Sequence, residues 1–142
     1  MTRYKVELEY DGTNLIGWQE NLDGPSVQSV MMDAIEQFCG ARPTIFGAGR
    51  TDSGVHSVCM TAHFDLDTDY DANTVMRALN FYLLNKPVSV LSCDVVPDDF
   101  HARFSCTARH YKYVVLNRGA GLNPAGPHKR RIQRKGVEKT FA

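Results

Sequence analysis

No apolar run in this chain of 142 residues approaches the roughly 20 residues that a helix needs to cross a bilayer. Its opening, MTRYKVELEY, alternates charged with apolar side chains where a signal peptide would need an apolar block. Cysteine is sparse: Cys39, Cys59, Cys93 and Cys106 lie far apart and form no CxxC pair. That spacing argues against a disulfide framework and for small buried hydrophobes in a reducing compartment. The glycines show neither GxGxxG nor GxxxxGK[ST] spacing, so a phosphate-cradling P-loop is not indicated. These absences leave the expectation of a soluble, cytoplasmic protein with no membrane partner. The 43% of hydrophobic residues suffice to cover one sheet with a helical layer in one domain.

The formal net charge of zero conceals two unlike parts. Residues 1–116 hold 9 Lys and Arg against 15 Asp and Glu, a net of −6, whereas residues 117–142 hold 7 against 1, a net of +6. The second part also loses hydrophobic periodicity, running through GAGLNPAGP into the basic stretch HKRRIQRKG. Glycine, proline and dense like charge oppose regular structure, so 1–116 is expected as the folded domain and 117–142 as a flexible basic tail.

Within 1–116 the periodicity changes in an orderly way. Tyr4, Val6, Leu8 and Tyr10 alternate with Lys5, Glu7 and Glu9, the pattern of a strand with one buried face. Pro25 and Ser26 open a helix whose apolar positions Val27, Val30, Met31, Ala34, Ile35 and Phe38 recur every three or four residues, and Gly40 stops it. A strand near 58–66 comes next, then a helix near 72–84 with Asp71 as N-cap. Strands near 88–96 and 104–116 complete the order. Helices alternating with strands predict an α+β fold of the ferredoxin-like, RRM-like class: an antiparallel sheet with two covering helices and a partly open second face. RNA can spread across such a face.

The loop GAGRTDSGVH, Gly47–His56, breaks the apolar pattern. Gly47, Gly49 and Gly54 permit close backbone approach, and Arg50 stands two residues from Asp52. A carboxylate such as Asp52 can serve as nucleophile, base or metal ligand, and Arg50 can favour its ionised form through a charge-assisted hydrogen bond. A polar turn held by that ion pair is the plainer alternative.

The segments YDGTNLIGWQ (Tyr10–Gln19), PSVQ (Pro25–Gln28), GAGRTDSGVH (Gly47–His56) and FHARFSCTARHYKY (Phe100–Tyr113), with AHF at Ala62–Phe64 and ALN at Ala78–Asn80, resemble in order and approximate spacing the N-terminal portion of the TruA-type tRNA pseudouridine synthase family. The resemblance extends to about Leu116. The basic tail then stands where the family's second half would begin, so a truncated or altered C-terminus is expected and activity of the chain by itself does not follow.

The resemblance implies isomerisation of uridine to pseudouridine in the anticodon stem-loop of tRNA, without a cofactor, by an enzyme that forms a homodimer. It implies that Asp52 is the catalytic aspartate, acting by attack on ribose or uracil or by promoting elimination. Arg50 would organise Asp52 and a nearby phosphate or the flipped base, and Tyr111 would stack on that base. Arg103, Arg109 and Lys112 are phosphate-contact candidates nearby, with His101 as a hydrogen-bonding residue. His56 would anchor the loop or touch RNA. Trp18 would support the substrate-facing loop by packing and Gln19 by hydrogen bonds.

Other readings use the same residues. A noncatalytic RNA-binding module would employ the sheet, the aromatics and the basic tail. A carboxylate-dependent small-molecule hydrolase built on Asp52 lacks a second acid, and a Ser53, His56 and Asp52 triad is strained because Asp52 and Ser53 are adjacent. His56, Cys59 and His63 lie close in sequence, but their irregular spacing and the lack of a second ligand pair argue against a metal.

Overall fold

The computed structural model describes residues 1–113 in full, and residues 114 and 134–140 as backbone. Among them are six strands, β1 (Thr2–Tyr10), β2 (Phe46–Gly47), β3 (His56–Leu66), β4 (Val88–Val96), β5 (Ala108–Val114) and β6 (Arg134–Thr140), and two α-helices, α1 (Val27–Cys39) and α2 (Ala72–Tyr82). The fold is α+β, a central and largely antiparallel sheet flanked by two helices, in a ferredoxin-like arrangement. Strand order is β4-β1-β3-β6-β5, with the short β2 also pairing with β3. β1 is antiparallel to both neighbours, Tyr4 facing Phe64 on one side and Val95 on the other. β3 and β4 therefore run the same way, and α2 is the crossover that carries the chain over β1. Among the described strands only the β3–β6 pair is parallel.

Local chemistry sets the helix ends. The Ser26 hydroxyl accepts the Ser29 amide while the Ser29 hydroxyl accepts the Ser26 amide, and Gly40 ends α1 at φ 78°. Asp71 caps α2 through the Thr74 amide. The apolar faces of both helices meet the inward side of β1 and β3 in one core that includes Tyr4, Val6, Leu8, Met31, Ile35, Phe64, Val75 and Leu79. Asn80 extends the sheet edge with its side chain: it donates to the Val90 carbonyl at 2.9 Å and accepts the Val90 amide at 2.8 Å.

The opposite face is partly covered. The guanidinium of Arg3 pairs with Asp65 at 2.8 Å and donates to the carbonyls of Asp98 and Phe100, which draws residues 98–106 across the sheet. The strand expected from residue 104 begins instead at Ala108, because side chains in residues 101–105 satisfy backbone donors that a ladder would use.

The expectation that charge and glycine prevent regular structure in the tail does not extend to residues 134–140. They form β6, antiparallel to β5 over its full length, since a ladder uses backbone groups that charged side chains leave available. The rest of that tail, residues 117–133 and 141–142, lies outside the described residues. None of the four cysteines is in a disulfide, and all are half-buried rather than fully buried. No helix among the described residues is long and apolar enough to cross a membrane.

Candidate functional site

The loop of residues 47–56 rests on the chain between β1 and α1. Trp18 donates its amide to the Thr51 carbonyl at 3.0 Å, and Leu15 accepts the Gly54 amide at 3.2 Å. The fit leaves no room for side chains at two glycines. A Cβ on Gly12 would lie 2.0 Å from the Val55 carbonyl oxygen; Gly17, at φ +100°, would place one 2.7 Å from the Thr51 carbonyl oxygen. The motifs around Tyr10–Gln19 and Gly47–His56 are therefore two halves of one packed unit.

Three further contacts pin the loop. Its middle residue, Thr51, is buried, with its hydroxyl 2.9 Å from that of Tyr10. Burial pushes the Tyr10 phenol up to about 12, so it stays protonated as a hydrogen-bonding strut. At the end of the loop His56 Nδ1 accepts the Gly12 amide at 3.0 Å, with the Asp11 carboxylate 3.1 Å from the same nitrogen. At its beginning the Ala48 amide donates to Thr61, while the Ala48 carbonyl receives both Nε and Nη2 of Arg109, at 2.9 and 2.7 Å.

Because Thr51 points inward, Arg50 and Asp52 on either side of it are exposed. Among the described residues they form no ion pair with each other. The expected Arg50–Asp52 hydrogen bond is thus absent, and two solvated charges gain little from pairing. Instead they border two adjoining cavities. The larger, of about 790 Å³, is lined by Trp18, Gln19, Arg50, His101, Arg103, Phe104, Arg109 and Tyr111 together with Gln28 and residues of the 44–49 segment. The smaller, of about 410 Å³, is lined by Asp52, Ser53 and Thr51 with Ile16 and residues 19–21. Arg50 and Gln19 form part of both walls.

Seven of the residues singled out in the sequence therefore meet at the larger cavity, and Asp52 stands next to it. Tyr111 is 65% exposed and lies outside the apolar core. Arg109 lines the cavity, yet two of its donors are committed to the loop. Lys112, exposed on β5, lines neither cavity, and His56 sits behind the loop. Trp18 is a packing residue, with its indole against Gly47. Gln28, rather than Gln19, supplies the hydrogen bonds that fix this wall: its Oε1 accepts the Glu20 amide and its Nε2 donates to the Ile45 carbonyl.

His56, Cys59 and His63 do not converge. Cys59 lies 3.3 Å from the Glu7 carboxylate, and His63 Nδ1 accepts the Ala102 amide at 3.0 Å. No group of three His, Cys, Asp or Glu suited to a metal occurs among the described residues. Sequence periodicity missed Tyr10 and Thr51 as supports, and Phe46, His63 and Phe104 as a cluster beside the cavity. Tyr10, Thr51, His63 and Phe104 lie inside the quoted motifs and Phe46 directly precedes one, but nothing in those motifs separates a support from a site residue.

Fold and site together define an α+β sheet domain that presents an exposed carboxylate loop beside an arginine-rich, aromatic cavity. Over 86% of its length the chain is homologous to the TruA family of tRNA pseudouridine synthases. It is 48% identical over 122 residues to a tRNA pseudouridine synthase A of Paramagnetospirillum magneticum, and 46% identical over 122 residues to that of Parvibaculum lavamentivorans. With the protein of the same name from Rhodospirillum centenum it shares 50% identity over 120 residues. These matches cover 84–86% of the chain but 48–50% of each relative, so the chain spans about half the length of the curated relatives it matches. No protein-family model matches the chain.

Proposed function

We propose that this chain carries the catalytic loop of a tRNA pseudouridine synthase and that Asp52 is its catalytic carboxylate. The observation that carries the reading is the junction of the two cavities: Asp52 stands on the small one, and Arg50 and Gln19 connect it to a larger one edged by arginines and exposed aromatics. A uridine must leave its stack, its N1–C1′ bond must break, and the detached uracil must turn so that C5 bonds to C1′ while C5 gives up its proton and N1 gains one. The Asp52 carboxylate initiates the break, by attack or by proton abstraction, and is regenerated. Tyr111 offers the uracil an exposed aromatic face, and Arg50 and Arg103 offer guanidinium groups to flanking phosphates.

The partner in this reading is tRNA, at the anticodon stem-loop, with assembly as a homodimer and a cytoplasmic setting as proposals the resemblance supports. Local placement of the arginines matters because residues 1–116 carry a net charge of −6, which repels RNA elsewhere. Release of tritium from C5-labelled uridine in an anticodon stem-loop RNA tests the proposal directly. The chain is expected to release it, and Asp52→Ala to lower release by about 10³-fold or more while still binding the RNA. RNA binding by both proteins with no release by either would assign the chain as a noncatalytic RNA-binding module.

A further inference from the structure

The larger cavity has one wall whose shape depends on a side chain that need not itself touch a substrate. Arg103 and Phe104 line it from a turn at residues 101–105, and neither is held there by burial. Phe104 is 79% exposed, and Arg103 makes no side-chain hydrogen bond or ion pair among the described residues. Their backbone is held instead. His101 Nδ1 accepts the Arg103 amide at 3.1 Å and the Phe104 amide at 3.3 Å. The Ser105 hydroxyl accepts the His101 amide at 3.1 Å, and the His101 carbonyl accepts the Ser105 amide at 2.7 Å. Within the same turn, the Ala102 amide is accepted by Nδ1 of His63.

We propose that His101 is a positioning residue: by accepting two successive amides at Nδ1, it closes the 101–105 turn and so fixes the Arg103 guanidinium and the Phe104 ring on the cavity wall. Both amides point at one nitrogen, which must therefore carry its lone pair, leaving the ring proton on Nε2. The imidazole also packs at a tilt against the Phe104 ring at 4.3 Å, meets His63 edge-on at 4.6 Å and lies 5.5 Å from Phe46. Burial and the nearby charges of Arg3 and Arg103 hold the His101 imidazole below its ordinary range, which keeps the acceptor available. The significance for RNA rests on the proposed tRNA-modifying function; the geometry of the turn does not.

Two substitutions separate the acceptor from the stack. His101→Phe keeps an aromatic ring against Phe104 and deletes the acceptor; His101→Asn keeps an acceptor near the position of Nδ1 and deletes the ring. Amide hydrogen exchange, followed by NMR on the full chain, is the direct readout. His101→Phe is expected to speed exchange at Arg103 and Phe104 by about five- to tenfold, the loss of one modest hydrogen bond, while β1 and β3 amides are unchanged. His101→Asn is expected to stay within about twofold of the parent.

Affinity for a uridine-containing RNA stem-loop should weaken in His101→Phe and recover in His101→Asn. Parent-like exchange in His101→Phe, or exchange in His101→Asn as fast as in His101→Phe, would overturn the proposal. Exchange with the expected pattern in a chain that binds no RNA would uphold the positioning role and remove the RNA reading instead.

Discussion

The apolar core and the segments that border the cavities are held by different forces. On the helix side, Tyr4, Val6, Leu8, Ile35, Val75 and Leu79 are fully buried in one apolar core. The segments at 47–56 and 98–106, which border the cavities, are tied by hydrogen bonds between main-chain groups and the side chains of Arg3, Arg109, His63 and His101. Burial is indifferent to direction, so the core can absorb small changes by repacking. Hydrogen bonds hold direction, and here they fix the backbone that carries Arg50, Asp52 and Phe104 while those side chains stay exposed.

The contrast predicts unequal responses. Ile35→Ala removes a fully buried side chain from the helix side and is expected to lower unfolding free energy by about 2–5 kcal/mol, measured by urea denaturation. RNA affinity of the fraction that remains folded should be unchanged.

Acid is expected to act on the hydrogen-bonded segment at 98–106. Burial and the neighbouring Arg3 and His101 lower the His63 pKa to about 4 from 6.5, against a smaller opposing pull from Asp65. In that window the unfolded chain binds a proton that the folded chain does not, so stability falls as pH drops from 6.5 towards 4, by up to about 3 kcal/mol, and this group adds nothing further below that. Urea unfolding at pH 7 and pH 5 measures the slope. His63→Asn, which retains an acceptor and cannot titrate, should flatten it, and an unchanged slope in that variant would remove His63 as its source.

A third change, Gly12→Ala, places a methyl group where the Val55 carbonyl stands. It is expected to cost about 1–3 kcal/mol and to displace the loop carrying Asp52. Uridine modification should therefore fall by more than the loss of folded protein explains. A proportional fall would show that the loop does not depend on this close fit.

Much of this molecule is legible in its residues where the determinants are local. Ser26, Gly40 and Asp71 announce helix ends because capping acts within three residues, and the alternation Tyr4 to Tyr10 announces β1 because a buried face has period two. β2 is too short for alternation to show. Residues 104–107 read as strand from their pattern, yet side chains take the backbone donors of the 101–105 turn, a choice that periodicity does not encode. The Arg109 contact spans 61 residues to Ala48, and nothing in RHYKY distinguishes an arginine that braces a loop from one that meets phosphate. The site itself is legible as motifs, whereas its division between exposed groups and buried supports, such as Asp52 against Thr51 and Tyr10, emerges only from the fold.

The central claim is that Asp52 supplies chemistry and no stability. A paired measurement on Asp52→Asn tests it: C5 tritium release from a uridine-labelled anticodon stem-loop RNA, beside the thermal unfolding midpoint. The account predicts release reduced to background with the midpoint and RNA affinity held at the parent's values. Release that persists in Asp52→Asn would contradict it.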